Sequence, residues 1–466
     1  MSRPGTEAHP LRVAVIGAGP TGFYAAEQLL SRRDLVVDVD VFDRLPTPYG
    51  LVRYGVAPDH QKIKSVTAVY DRIAAHVRFR FFGNVEYGRH LRLEDLRAHY
   101  HAVIFCTGAQ TDRQLGIPGE DLEGSYPATA FVAWYNGHPD FTACRFDLSQ
   151  EVAAVVGVGN VAVDVARILL RSPEELARTD IADYALEALR HSRIREVHML
   201  GRRGPAQAAF TNPEIQELIE LPYADATARP EEVALDEVSR AVIERTRDHT
   251  TMKKVEIIQS VAGRAASGKP RRLVLRFLVS PTELVGRDGH VAAVRLVRNR
   301  LETTSAGSVV AKPTGQTEEL AAGLVFRSVG YRGVPLPGVP FNEKWGVILN
   351  EKGRVLDPET REALPGLYTA GWIKRGATGV IGTNKPDAAE TVANLLADLQ
   401  AGRLHSPAAP EPGAIEALVR ERQRYVFTYD DWRKLNEIEV ARGRAQGRPR
   451  VKFTRIEEML AALGRA

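Results

Sequence analysis

The sequence predicts an α/β protein with two domains of one plan, and three observations predict it. A short apolar strand at residues 12–16 runs into the glycine-rich turn GAGPTG and on into the helical pattern FYAAEQLLSR. The same strand, turn and helix recur at VAAVV, GVGNVA and VDVARILL, with Gly157 lying 140 positions after Gly17. The 466 residues are 44% hydrophobic and 26% charged, a globular composition. At about 150 residues per domain this length covers roughly three domains.

Each element follows in order. Residues 36–42 (VVDVDVF) form a second strand that ends at Asp43 before the turn-rich RLPTPYG. HAVIFCTG at 101–108 is a further buried strand, and IPGEDLEGSYP has the Gly and Pro content of a crossing between domains. The second unit then starts at 152–156, continues through a helical insertion near 172–192, and reaches its own second strand at 195–200 (REVHML). Residues 255–330 alternate apolar and polar in RRLVLRFL, HVAAVRLV and GLVFRSVGY, the pattern of an antiparallel portion. GLYTAGW at 366–372 is another strand meeting glycine, and KPDAAETVANLLADLQAG is an amphipathic helix that returns the chain to its first domain. HSPAAPEPG connects to a helical C-terminal stretch with a basic GRPRVK. The boundaries expected are 1–112 and 331–404 for the discontinuous first domain, 113–330 for the inserted one, and 405–466 for an extension.

Composition excludes several classes. Lys plus Arg at 62 against Asp plus Glu at 58 gives +4, too little over this length to argue for nucleic acid. The two cysteines, Cys106 and Cys144, have neither disulfide-scaffold density nor C-x-x-C spacing, which fits a reduced, cytoplasmic setting. No apolar run of about 18 residues occurs and the N-terminus lacks a signal-peptide core, so neither a membrane span nor secretion is expected.

The glycine turns carry chemistry. Gly17 allows the tight turn, Gly19 lets backbone approach a pyrophosphate, and Gly22 lets helix pack on strand, while the helix N-terminus offers free N–H groups. Asp43 is placed to accept from ribose hydroxyls and would repel a 2′-phosphate, so FAD or NAD suits this site; the bland alternative is an ordinary turn with a surface Asp. In the second turn Gly157 and Gly159 stand as expected, with Ala162 in the third place. After its second strand Arg202 and Arg203 replace the acid that would select a free ribose, and their forked donors suit the 2′-phosphate of NADP(H); a solvated basic turn is the alternative. Two nucleotide sites imply hydride transfer. With no redox-active cysteine pair, the electrons must leave for an external acceptor.

The stretches VIGAGPTGFYAAEQLL, LPTPYGLVRYGVAPDHQKIK, FFGNVEYG, GNVAVDVARILL, GRRGPAQAAFT, RSVGYRG and GWIKRGATGVIGTNK resemble the adrenodoxin reductase-like ferredoxin–NADP(+) reductases of bacterial type, over nearly the whole chain. The resemblance implies a glutathione-reductase-like flavoprotein architecture and passage of electrons from NADPH through FAD to a ferredoxin-type iron–sulfur protein. It places FAD at Gly17, Gly19, Pro20, Thr21, Asp43 (usually Glu in the family), Leu51, the strand around Val85 and Tyr87, Trp372, and the backbone of Gly379, Val380 and Ile381. It places NADP at Gly157, Gly159, Asn160, Val161, Arg202, Arg203, Glu214 and Gly379, with Val158 departing from the usual Asn or Gln. Trp372 is otherwise a core aromatic. His60 and Glu217 match positions beside the reacting rings, where a histidine could shuttle the flavin N5 proton; structural roles are the alternative. The partner expected is an acidic ferredoxin, with Lys62, Lys64, Lys374 and Arg375 either docking it or simply solvated. Rival readings are an oxidoreductase of glutamate-synthase small-subunit type, which would need a cysteine-rich cluster region absent here, a flavin monooxygenase, and a low-turnover NADPH-binding redox sensor.

Overall fold

The computed structural model describes residues 4–465. The chain divides into two units. The first runs to Val56, resumes at His60–Thr111 and again from Tyr331 onward; the second is Ala57–Asp59 with Asp112–Gly330.

The first unit is built on a seven-stranded sheet. Its centre is Leu11–Ile16, whose six residues are all buried, paired in parallel with Val37–Asp43 on one side and Ala102–Phe105 on the other. A strand covered on both faces is apolar except where a charge is met, which is why LRVAVI lacks alternation and its one charge, Arg12, pairs with Asp40 at 2.7 Å. Phe79–Gly83 extends the sheet beyond Val37–Asp43, and Ala363–Thr369 pairs in parallel with Ala102–Phe105, so the late strand does rejoin the early ones. The helices Pro20–Leu30 and Asn384–Gln400 pack on each other. Residues 405–466, set apart in the sequence reading, fall within this unit. Their helices Pro412–Arg422, Tyr429–Ala445 and Ile456–Ala462 bury Ile415, Trp432, Leu435 and Met459 in its core.

The second unit holds a six-stranded sheet. Val152–Val156 pairs in parallel with Glu196–Leu200, and Leu324–Arg327 pairs in parallel with Val152–Val156. Two of the three stretches expected to be antiparallel are therefore parallel: RRLVLR is the strand Arg271–Arg276, parallel to both Glu196–Leu200 and Ala224–Ala228. Alternation misled there because this sheet is not apolar on both faces: Arg276 and Glu232 pair deep inside it. Only the meander Val279–Arg287, His290–Thr303 and Val309–Ala321 is antiparallel. Among the described residues no helix is long and apolar enough to cross a membrane.

Candidate functional site

The two glycine turns have the same construction. The N–H of Gly17 donates to the carbonyl of Phe42 at 2.8 Å, and that of Gly157 to the carbonyl of Leu200 at 2.9 Å. Both first glycines have positive φ, 114° and 133°, and a Cβ on either would run into a carbonyl, of Cys106 or of Ser328. Glycine is compulsory there for the protein's own packing. Gly19 and Gly159 differ: a Cβ on either would meet nothing within 4 Å. Their bareness serves no internal contact and leaves room for backbone to be approached from outside. Each is the N-cap of an 11-residue helix with no side-chain cap and no acidic residue in its first turn. The leading N–H groups of both helices are therefore available to an anion, which fits a dinucleotide pyrophosphate at each turn.

Asp43 is committed first to its own turn. Its Oδ2 accepts from Ala18 N–H at 2.7 Å and its Oδ1 from Leu45 N–H at 2.9 Å. Burial pushes this carboxyl above the usual range, against the pull of those two N–H groups. Thr21 is buried and fills the place that a side chain on Gly371 would need. Leu51 begins the short helix Leu51–Tyr54 and is 37% exposed, free to cover a ligand. Val85 departs from expectation: it lies in a loop after Phe79–Gly83, its side chain is core and its N–H is spent on the Asp43 carbonyl. Tyr87 donates to the Pro337 carbonyl at 2.6 Å and stands edge-on to Phe105.

Trp372 is not a core aromatic. It is half-buried, its ring centroid 5.4 Å from that of Tyr331, and its Nε1 donates to the Thr378 carbonyl at 3.0 Å. Gly379 and Val380 are exposed and Ile381 is half-buried, so this backbone is open to a ligand. The loop is held by Arg375, which donates to Thr378 and, at 2.9 Å, to Asn384 Oδ1. That bonding removes Arg375 from the docking candidates. Lys374 leaves them too, being buried and paired with Asp387 at 3.0 Å and Glu390 at 2.7 Å. Lys64 is also buried, whereas Lys62 is exposed.

In the second unit, Asn160 Oδ1 accepts from Thr211 N–H at 2.9 Å and Val161 packs against the core. Val158 contributes through its carbonyl, which takes the N–H groups of Ala209 and Phe210. Arg202 is exposed and Arg203 half-buried, and neither has a carboxylate within 4.0 Å among the described residues. Burial and then the charge of Arg202 lower the pKa of Arg203. Two consecutive arginines with no carboxylate partner among the described residues suit an anionic ligand.

Glu214 and Glu217 lie on the helix Asn212–Ile219 and end on Arg167 of the helix Asn160–Leu170 and on Arg171, that helix's C-cap. Arg167, fully buried, donates to Glu214 at 3.2 Å and to Asp59 at 2.7 Å, and Arg171 donates to Glu217 at 2.7 Å. His60 belongs to the first unit and Glu217 to the second. The Asp59–Arg167–Arg171 set was missed by sequence reading, since partners 108 and 112 positions apart leave no local signal. Gly50 was missed as well, although the Pro and Gly of PTPYG marked its turn.

Comparison with known proteins agrees with this construction. Residues 11–220 match the family described as pyridine nucleotide-disulphide oxidoreductase. The NADPH-ferredoxin reductase FprA of Mycobacterium tuberculosis is 46% identical over 461 residues, covering 97% of this chain and 98% of that protein. The human mitochondrial NADPH:adrenodoxin oxidoreductase is 44% identical over 462 residues, covering 97% and 92%. The solved structure of Mycobacterium tuberculosis FprA in complex with NADPH matches with a TM-score of 0.90 at 45% identity, over 98% of this chain and 100% of that one. Likeness of this degree, over 97% of this chain and more than nine-tenths of each relative, shows the family: the chain belongs to the adrenodoxin reductase-like ferredoxin–NADP reductases.

Proposed function

We propose that this chain is an NADPH–ferredoxin oxidoreductase that holds FAD at the Gly17–Gly22 turn, binds NADPH at the Gly157–Ala162 turn, and reduces an acidic iron–sulfur protein. The observation that supports the reading is that Arg202 and Arg203, following the second open glycine turn, have no carboxylate partner among the described residues, which suits them to a 2′-phosphate. Bound FAD would supply the two-to-one electron conversion, accepting a hydride and releasing electrons singly.

The chain's own residues bind and orient. The first turn of Pro20–Leu30 presents N–H groups to the FAD pyrophosphate, and Asp43 fixes the turn by bridging Ala18 and Leu45. Leu51 and Val380, both partly exposed, would shield the ring system from water, while the Gly379–Ile381 backbone would donate to it. Trp372, pinned through Thr378, would set one wall. His60 would hold or pass the proton at flavin N5. Glu217, already paired with Arg171, is read as orienting rather than as an acid. An acidic partner would be met by exposed cations such as Lys62. Both cysteines are free thiols, in keeping with a cytoplasmic setting.

Stopped-flow spectroscopy tests the reading: NADPH, far better than NADH, should bleach a bound flavin, and a ferredoxin should restore the colour. Purification without flavin, or equal rates with NADH, would overturn it.

A further inference from the structure

The C-terminal residues 405–466 carry no part of the nucleotide motifs, yet they set two polar clusters, one half-buried and one wholly buried, on the segment that leans on the first glycine turn. That segment is Tyr49–Tyr54. Tyr49 N–H donates to the Ala18 carbonyl at 2.7 Å, and a Cβ on Gly50 would come within 3.0 Å of Gly19 Cα. Both residues have positive φ, 86° for Tyr49 and 50° for Gly50. A bulky residue keeps such a φ only where its surroundings over-determine it.

The surroundings are C-terminal. Tyr49 Oη and Tyr429 Oη lie 2.7 Å apart and share Asp71 Oδ1, at 2.5 and 2.6 Å. Trp432 Nε1 donates to Tyr49 Oη at 3.1 Å, and the two rings meet edge to face. Four residues on, Arg53 forms a two-pronged pair with Glu439, at 2.9 and 2.5 Å. Glu439 is wholly buried, and it also takes Phe453 N–H at 2.9 Å and Arg450 at 3.2 Å. Lys452 Nζ donates to the Arg53 carbonyl at 3.3 Å. The Arg53 guanidinium lies over the Tyr54 and Trp432 rings. Both terminal nitrogens of Arg53 are spent on Glu439, and a buried pair of this kind fixes one geometry more than it adds stability.

We propose that residues 429–453 are a clamp that sets how tightly the first unit holds its flavin: Glu439, acting through Arg53, and Tyr429, acting through Tyr49, hold Tyr49 and Gly50 against the Ala18–Gly19 turn. Both are positioning residues. The inference rests on FAD occupying that turn.

The full-length holoenzyme decides it. Each variant is diluted and FAD release is followed by the rise of free-flavin fluorescence, with NADP+ affinity measured on the same sample. Glu439→Gln should release FAD at least tenfold faster and Tyr429→Phe several-fold faster, with NADP+ affinity unchanged in both. Glu439→Asp, which keeps the charge, should recover part of the loss. Release at the wild-type rate from folded Glu439→Gln overturns the clamp. Should Glu439→Gln fail to fold, Tyr429→Phe alone decides in the same way. Wild-type protein without flavin would instead overturn the reading beneath it.

Discussion

Replacing Arg202 and Arg203 by alanine together tests the cofactor preference most directly. The loop that carries them is held by main chain and by other side chains: Leu278 N–H donates to the Arg203 carbonyl at 3.2 Å, and Asn299 Nδ2 to the Arg202 carbonyl at 2.9 Å. Truncation therefore removes charge without removing the loop. Neither guanidinium has an anionic partner among the described residues, so no internal ion pair is lost. Hydrogen bonds to charged groups contribute about 1.5–3 kcal/mol each, and exposed Arg202 belongs at the lower end. A joint loss of about 3 kcal/mol weakens NADPH roughly 100-fold. NADH, lacking the 2′-phosphate, should be unaffected. Titration of both nucleotides against bound-flavin fluorescence gives the two constants. An equal loss for NADH, or an unchanged NADPH constant, would refute the argument that these arginines read the phosphate.

Gly19→Ala should leave the melting temperature within the range of a surface substitution, since its Cβ enters open space, yet lower flavin content. Gly22→Ala should destabilise the protein by about 2–3 kcal/mol in urea, because its Cβ would strike the Gly17 carbonyl. Burial pushes Asp112 up from 3.8 to about 7. The folded state then holds a proton that the unfolded state has lost, so this residue's penalty grows as pH rises from 3.8 to 7; Asp112→Asn should stabilise by about 2 kcal/mol at pH 8 and not at pH 3.5. His101 has the opposite sign. Burial, then the charge of Arg12, lowers it from 6.5 to about 4, so stability present above pH 6.5 is lost as pH falls toward 4. Allowing for its partial exposure, the loss is about 1 kcal/mol and should be smaller in His101→Gln, as urea unfolding at pH 7 and 4.5 would show.

Features that rest on backbone geometry were legible in the sequence, and features that rest on distant partners were not. GAGPTG and GVGNVA could be read because a left-handed first glycine, an open second one and a following helix are all specified within a few residues. The charged side chains offered no such locality. Lys62, Lys64, Lys374 and Arg375 all read as basic residues, but three of them are buried or tied by bonds, and Arg375 holds the very loop that the family motif marks. Arg53 finds Glu439 across 386 positions, and no period or spacing announces it. The difference has a physical basis. A glycine motif encodes a conformation that only its own atoms decide, whereas a charge encodes a demand for a counter-charge that any part of the chain can meet. The same distinction explains why Arg202 and Arg203 stand out. Nearly every other buried or half-buried arginine described has met its demand inside the protein, and an arginine pair left unmet beside an open helix N-terminus is suited to an anion from outside.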